Sequence, residues 1–197
     1  MPGDWSALSA LAGPGGVTVP FQPDLGEPPT GWKVLFEGVA YQMVLVDDAM
    51  SRTADVDELG EADVGDMLAL TKATEPGPFL PRTYLLGGYV GVHEQGTLIA
   101  MAGTRFNTGD FVEISAVCTS ADARGRGHAA TLTLHVADRV RAAGATPFLH
   151  VLSTNLNAFA LYERLGFVTR RSYPVRAFRV PDERVPDERV PDERVRG

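Results

Sequence analysis

Apolar positions along the chain follow two periods, two and about 3.6, and glycine and proline cut them into segments. β-Branched and aromatic residues over 32–36 and 41–46 predict two strands, with a hairpin around Glu37-Gly38. Val56, Leu59, Val64, Met67 and Leu70 then fit one helical face, which Pro76-Gly77-Pro78 ends; Gly60 and Gly65 argue against an unbroken helix. Residues 88–92 and 97–102 flank Glu94-Gln95-Gly96 as an antiparallel hairpin, and 111–119 form a longer strand. Leu132, Val136 and Val140 mark the inner face of a helix over 126–143, with Gly144 at its C-terminal cap. A buried strand follows at 148–152. Ser153, Thr154 and Asn155 are all competent caps for the next helix, which buries Ala158, Leu161 and Leu165 and stops at Gly166. Residues 167–171 and 174–180 supply two last strands.

The segment from 111 to 152 therefore reads as strand, helix, strand, a right-handed crossover between parallel strands. Residues 1–40 form a Gly/Pro-rich extension packing on the domain, with one strand-like run at 17–21, and residues 41–180 form the domain itself. From 181 to 197 the pentapeptide Pro-Asp-Glu-Arg-Val repeats from Pro181, Pro186 and Pro191; proline at every fifth position bars helix and paired strand alike, which predicts a disordered tail.

Composition narrows the function. At 197 residues and 44% hydrophobic content the chain can bury a core within one main domain. A formal net charge of −7 argues against nucleic acid as a partner, and no apolar run approaches the length of a membrane span. Cys118 is the single cysteine, so no intrachain disulfide forms, and with no basic region ahead of residues 8–12 the start does not read as a signal peptide. These features point to the cytoplasm. His93, His128, His135 and His150 show no metal-ligand spacing, and no metal is expected.

The chemistry concentrates in Arg124-Gly125-Arg126-Gly127-His128-Ala129-Ala130, between strand and helix. Amides converging at a helix N-terminus bind phosphate, small residues let the anion approach, and two arginines add charge. The Gly-Lys-Ser/Thr ending of an NTP-binding loop is missing. Gly125-x-Gly127-x-x-Ala130 has the dinucleotide-binding spacing, yet five residues separate it from Thr119 and no acid closes the next strand.

Arg124-x-x-Gly127-x-Ala129 resembles the Arg/Gln-x-x-Gly-x-Gly/Ala signature of the GNAT superfamily of N-acetyltransferases. Asn155-x-x-Ala158-x-x-Leu161-Tyr162, ending at Gly166-Phe167, is similar to that family's second element. The resemblance spans residues 41–180 and implies a mixed α/β fold, with a mostly antiparallel sheet, one splayed parallel pair and flanking helices. It further implies acetyl-CoA as co-substrate and direct transfer, in a ternary complex, to a primary amine of a small molecule or peptide. By that resemblance Tyr162 is the acid for the departing thiolate and Glu113 the base, acting through water, its pKa raised by partial burial. Val117 would offer a backbone group near the thioester carbonyl and Thr119 one to the pantetheine arm. Cys118 between them lies in the cofactor stretch, its own side chain read as a structural thiol. Asn155 is either a cofactor contact or a plain helix cap, and Ala158 lies beside it. Phe79, Arg82 and His150 are candidates for the acceptor side. A non-catalytic acyl-CoA-binding module is the competing reading, and a homodimer is compatible with the sequence.

Overall fold

The computed structural model describes residues 4–20, 26–46 and 55–182. It divides into a larger unit, residues 41–172, and a smaller one formed by 1–40 with 173–197. Phe21 and the repeats from residue 183 lie outside the described residues.

In the smaller unit, α1 (Trp5–Ala12) starts at Asp4, whose carboxylate accepts the Ala7 N–H at 2.9 Å. Trp5 meets both Trp32 and Phe178 edge-on at 5.0 Å, an aromatic cluster within this smaller unit. Strand β1 (Val17–Thr18) pairs antiparallel with the last strand.

The hairpin expected around Glu37-Gly38 is absent. Strand β2 (Lys33–Leu45) runs straight through, because both flanking segments favour extended backbone and Gly38 does not take the positive φ a tight turn would need. The last strand, Phe167–Arg179, is likewise one strand rather than two. The helix anticipated from Val56 begins at Val64 instead: β3 (Asp57–Leu59) comes first, and α2 (Val64–Thr74) follows a 3-10 turn at Glu61–Asp63. Leu59 finds burial by pairing opposite Tyr89, which a spacing argument cannot distinguish from a helical face.

In the larger unit β4 (Tyr89–Glu94) and β5 (Thr97–Asn107) form the expected hairpin; Gln95 and Gly96 both carry positive φ, 52° and 77°, as a two-residue primed turn demands. Next come β6 (Phe111–Thr119), α3 (His128–Ala142), β7 (Thr146–Leu152), α4 (Leu156–Arg164) and β8, the long final strand. Among the strands lying wholly within this unit the order is β7-β6-β5-β4-β3. Strands β3 to β6 pair antiparallel and β6 with β7 parallel, the mixed sheet the sequence predicts.

One core packs Leu132, Val136, Ala137 and Val140 of α3 against Ile114, Leu149 and Val151, with Tyr162 and Leu165 from α4. A second joins Met67 and Leu70 of α2 to Tyr89, Leu98, Met101 and Cys118. Helices thus cover both sides of the strands. Among the described residues no helix is long and apolar enough to cross a membrane.

Gly103 lies against the ring of Tyr89, and a Cβ there would stand 2.4 Å from it. Gly103→Ala should therefore destabilise by about 1–3 kcal/mol, read from the urea midpoint, through overpacking.

Candidate active site

All the residues considered below belong to the larger unit. Strands β6 and β7 pair from Phe111–Thr146 to Ile114–Leu149, and there the ladder stops, although β6 continues to Thr119 and β7 to Leu152. The cause lies in β6. Against β5, Ser115 faces Gly103 while Cys118 faces Met101, so three steps on β6 oppose two on β5. Ala116, inside this bulge, holds a φ of 53°. An extra residue re-aims the strand, and Val117 and Thr119 stand on the departing stretch.

At its mouth the chain makes a 3-10 turn, Ala121–Ala123, then passes Gly125 and Gly127, whose φ values of 76° and 86° only glycine adopts freely. A Cβ on either glycine would meet nothing within 4 Å; the space beyond them is open. The first amide to find a helical carbonyl is that of Thr131, which donates to Gly127. The N–H groups of His128, Ala129 and Ala130 precede that bond and have no helical acceptor. Beside them Thr119 Oγ1 and His128 Nε2 are buried without hydrogen-bond partners, an uncommon condition in a folded protein. The arginines are held aside: Arg124 Nε donates to the Thr119 carbonyl at 3.4 Å, and Arg126 grips Glu94 of β4 bidentately at 2.7 and 3.0 Å.

On α4, Asn155 Oδ1 accepts the Ala158 N–H at 3.1 Å, so its side-chain oxygen serves as the helix cap. Tyr162 is buried and packs on Phe167 at 5.8 Å. Burial, with a smaller contribution from Cys118, pushes its pKa up to about 12, so it keeps its proton at neutral pH. Burial likewise pushes the Cys118 thiol up to about 11, against hydrogen bonds involving Thr74 and the Met101 backbone. As a thiol it is no nucleophile.

Glu113 is 1% exposed, and it is not solitary. Arg105 Nη2 and Nε donate to its two oxygens at 2.7 and 2.9 Å, and His150 Nδ1 lies 2.6 Å from Oε1. The far nitrogen of His150 meets Gln42 Nε2 at 3.2 Å, and Arg170 Nη1 donates to Gln42 Oε1 at 2.8 Å. Desolvation raises the Glu113 pKa, but the hydrogen bonds from His150 and Arg105 and the charge of Arg105 outweigh it. The net direction is down, the reverse of the rise expected from burial alone. Sequence reasoning missed Arg105, Gln42 and Arg170, because each meets its partner only through strand register.

The acceptor-side candidates separate. His150 joins Glu113, with Phe148 edge-on to its ring at 5.5 Å. Phe79 packs edge-on against Tyr89 at 5.5 Å and lines a groove of about 400 Å³ with Leu68, Thr71, Lys72, Glu75 and Gly77. Burial pushes the Tyr89 hydroxyl pKa up to about 12, with the charges of Arg105 and Glu113 acting on it in opposite directions. Arg82 is exposed, at the start of the Thr83–Leu86 turn. Among the described residues no group of three or more His, Cys, Asp or Glu could hold a metal ion.

A family model described as FR47-like protein matches residues 89–175. Among solved structures, a protein of the GNAT acetyltransferase family from Novosphingobium aromaticivorans is similar at 36% identity and a TM-score of 0.81, over 88% of this chain and 79% of that one. A GCN5-related N-acetyltransferase-like protein from Streptococcus suis matches at 17% identity and a TM-score of 0.60, over 90% and 77% of the two chains. The ribosomal-protein-S18-alanine N-acetyltransferase of Escherichia coli matches at 20% and 0.52, over 69% and 97%. At such identities the last two speak for the fold alone. No curated protein sequence matches the chain.

The depressed pKa of Glu113 makes its contribution to stability present above the ordinary glutamate range and lost as pH falls through the lower folded value. Glu113→Ala removes the acceptor of two buried guanidinium hydrogen bonds from Arg105 and should cost about 1–3 kcal/mol near neutrality. Urea unfolding followed against pH should show the gap between wild type and variant closing in acid; a constant gap would refute the assignment.

Proposed function

The chain belongs to the GNAT family of acetyltransferases, and on that premise we propose that it carries an acetyl group from acetyl-CoA to a primary amine of a small molecule or peptide. Attack is direct, within a ternary complex, and the reaction takes place in the cytoplasm. The observation that carries this reading is the fork where β6 leaves β7, directly ahead of the Gly125 and Gly127 turn.

The residues present fit the donor. Unpartnered amides of His128, Ala129 and Ala130 at the positive end of α3, with Arg124 and Arg126 nearby, suit a pyrophosphate. Two orphaned buried polar atoms, Thr119 Oγ1 and His128 Nε2, supply hydrogen bonds that only a ligand or water would satisfy. The backbone of 117–119, freed from β7, can pair with the amides of a pantetheine arm as an added strand would. When bound, acetyl-CoA supplies an activated acyl group on a thiol that can leave.

Protein groups then divide the proton work. Tyr162 clusters with Ile114 and Leu149 on one side of the sheet. Glu113 and His150 are their immediate neighbours in sequence, so they project to the other side. With its pKa pushed up to about 12, Tyr162 carries its proton at neutral pH, and we assign it to protonate the departing sulfur. The opposite side receives the proton of the incoming ammonium.

Acetyl-CoA at about 100-fold its dissociation constant should stabilise the protein by about 2.7 kcal/mol, visible as a raised melting temperature. Gly127→Glu should abolish that shift by charging the phosphate site. Tyr162→Phe should bind acetyl-CoA normally and lose on the order of 10²-fold in kcat, followed by thiol release with a panel of primary amines. The absence of any shift with acetyl-CoA would sink the reading.

A further inference from the structure

We propose that the proton acceptor is His150, through Nε2, and that Glu113 is a positioning residue; this rests on the acetyl-transfer reading above. Three hydrogen bonds occupy the two Glu113 oxygens, two of them from a guanidinium, and the carboxylate is 1% exposed. Such a group holds its charge and is closed to an incoming ammonium.

The polarity of the hydrogen-bond chain settles the imidazole. Arg170 can only donate, so Gln42 turns its oxygen toward Arg170 and its NH2 toward His150. Nε2 of His150 must then accept, which leaves the proton on Nδ1, where it donates to Glu113 Oε1 at 2.6 Å. A carboxylate behind a neutral imidazole, with the far nitrogen left basic, is the arrangement in which the acid orients and the imidazole receives. His150 is also the first residue of β7 past the last paired position, Leu149, and so stands at the fork itself.

What rests on Nε2 is the NH2 of Gln42, at 3.2 Å the longest contact in the chain. An amide NH2 offers the kind of N–H donor that an alkylammonium offers. The acceptor amine would take this place, displacing the Gln42 side chain. His150 Nε2 then removes one proton from R–NH3⁺. The amine lone pair forms the C–N bond to the acetyl carbon as the C–S bond breaks, and Tyr162 protonates the sulfur. The second proton lost from nitrogen restores Tyr162, and the one on His150 leaves to solvent. Among the described residues the charged groups linked to His150 include Glu113, Arg105 through that carboxylate, and Arg170 through Gln42.

The test uses the full chain, thiol release with aliphatic primary amines from pH 6 to pH 10, and acetyl-CoA binding by calorimetry. His150→Gln should bind acetyl-CoA like wild type and lose on the order of 10²-fold in kcat/KM for the amine near neutrality. Its rate should climb only as pH approaches the amine's own pKa, about 10 for an alkylamine. Glu113→Gln should show a smaller loss; if it does not fold, the His150→Gln profile decides alone. A His150→Gln enzyme with the wild-type pH profile overturns the proposal and leaves acetyl transfer standing. A wild-type enzyme that binds acetyl-CoA and acetylates no amine removes both.

Discussion

Ala116 is a non-glycine residue held in the left-handed region, and the geometry of the site depends on it. Such a conformation costs about 1–3 kcal/mol and persists only where its surroundings dictate it. Here they do. Ile114 on one side of the bulge and Cys118 on the other are both buried, in different cores, and two residues of β5 must be matched by three of β6 for both to reach their places. The extra residue ends the ladder to β7, and ending the ladder creates backbone groups without partners in an otherwise paired sheet. The fork is thus a by-product of satisfying two cores with one strand.

Burial then acts in opposite senses on two groups near the fork. At Tyr162 desolvation is the largest effect and favours the neutral form, so it retains its proton. Glu113 is as deeply enclosed, yet Arg105 and His150 reverse the effect of burial and keep it charged. A buried ion pair seldom adds stability compared with apolar packing of the same volume. Its retention inside the sheet is better understood as fixing an orientation than as holding the fold together.

Much of this was legible in the sequence. Proline and glycine punctuation located the β4–β5 hairpin, α3 and α4, and the two glycines of the turn were identifiable because positive φ leaves few alternatives. Where the reading failed, long-range pairing had overruled local signals: Gly38 did not turn the chain, and Leu59 was claimed by a strand. Arg105 was hidden for the same reason. Its distance from Glu113 follows from the β5–β6 register, which itself shifts at the bulge, and no periodicity reports a register. The sign of the Glu113 shift could not be read without that partner.

Arg126 offers a last point. Glu94 holds it at the mouth of the turn through two parallel hydrogen bonds that join the end of β4 to the start of α3. A long side chain is ordinarily mobile, and immobilising one on binding costs conformational entropy. That loss has already been taken in the free protein, so Glu94 reduces the net positive charge at the mouth while making the remaining charge stationary. Both side chains are close to half exposed, so dissolved ions screen the pair and its grip varies with ionic strength. The entrance is therefore the part of the site that reports on the salt around it, whereas the enclosed carboxylate at the fork is insulated from the medium.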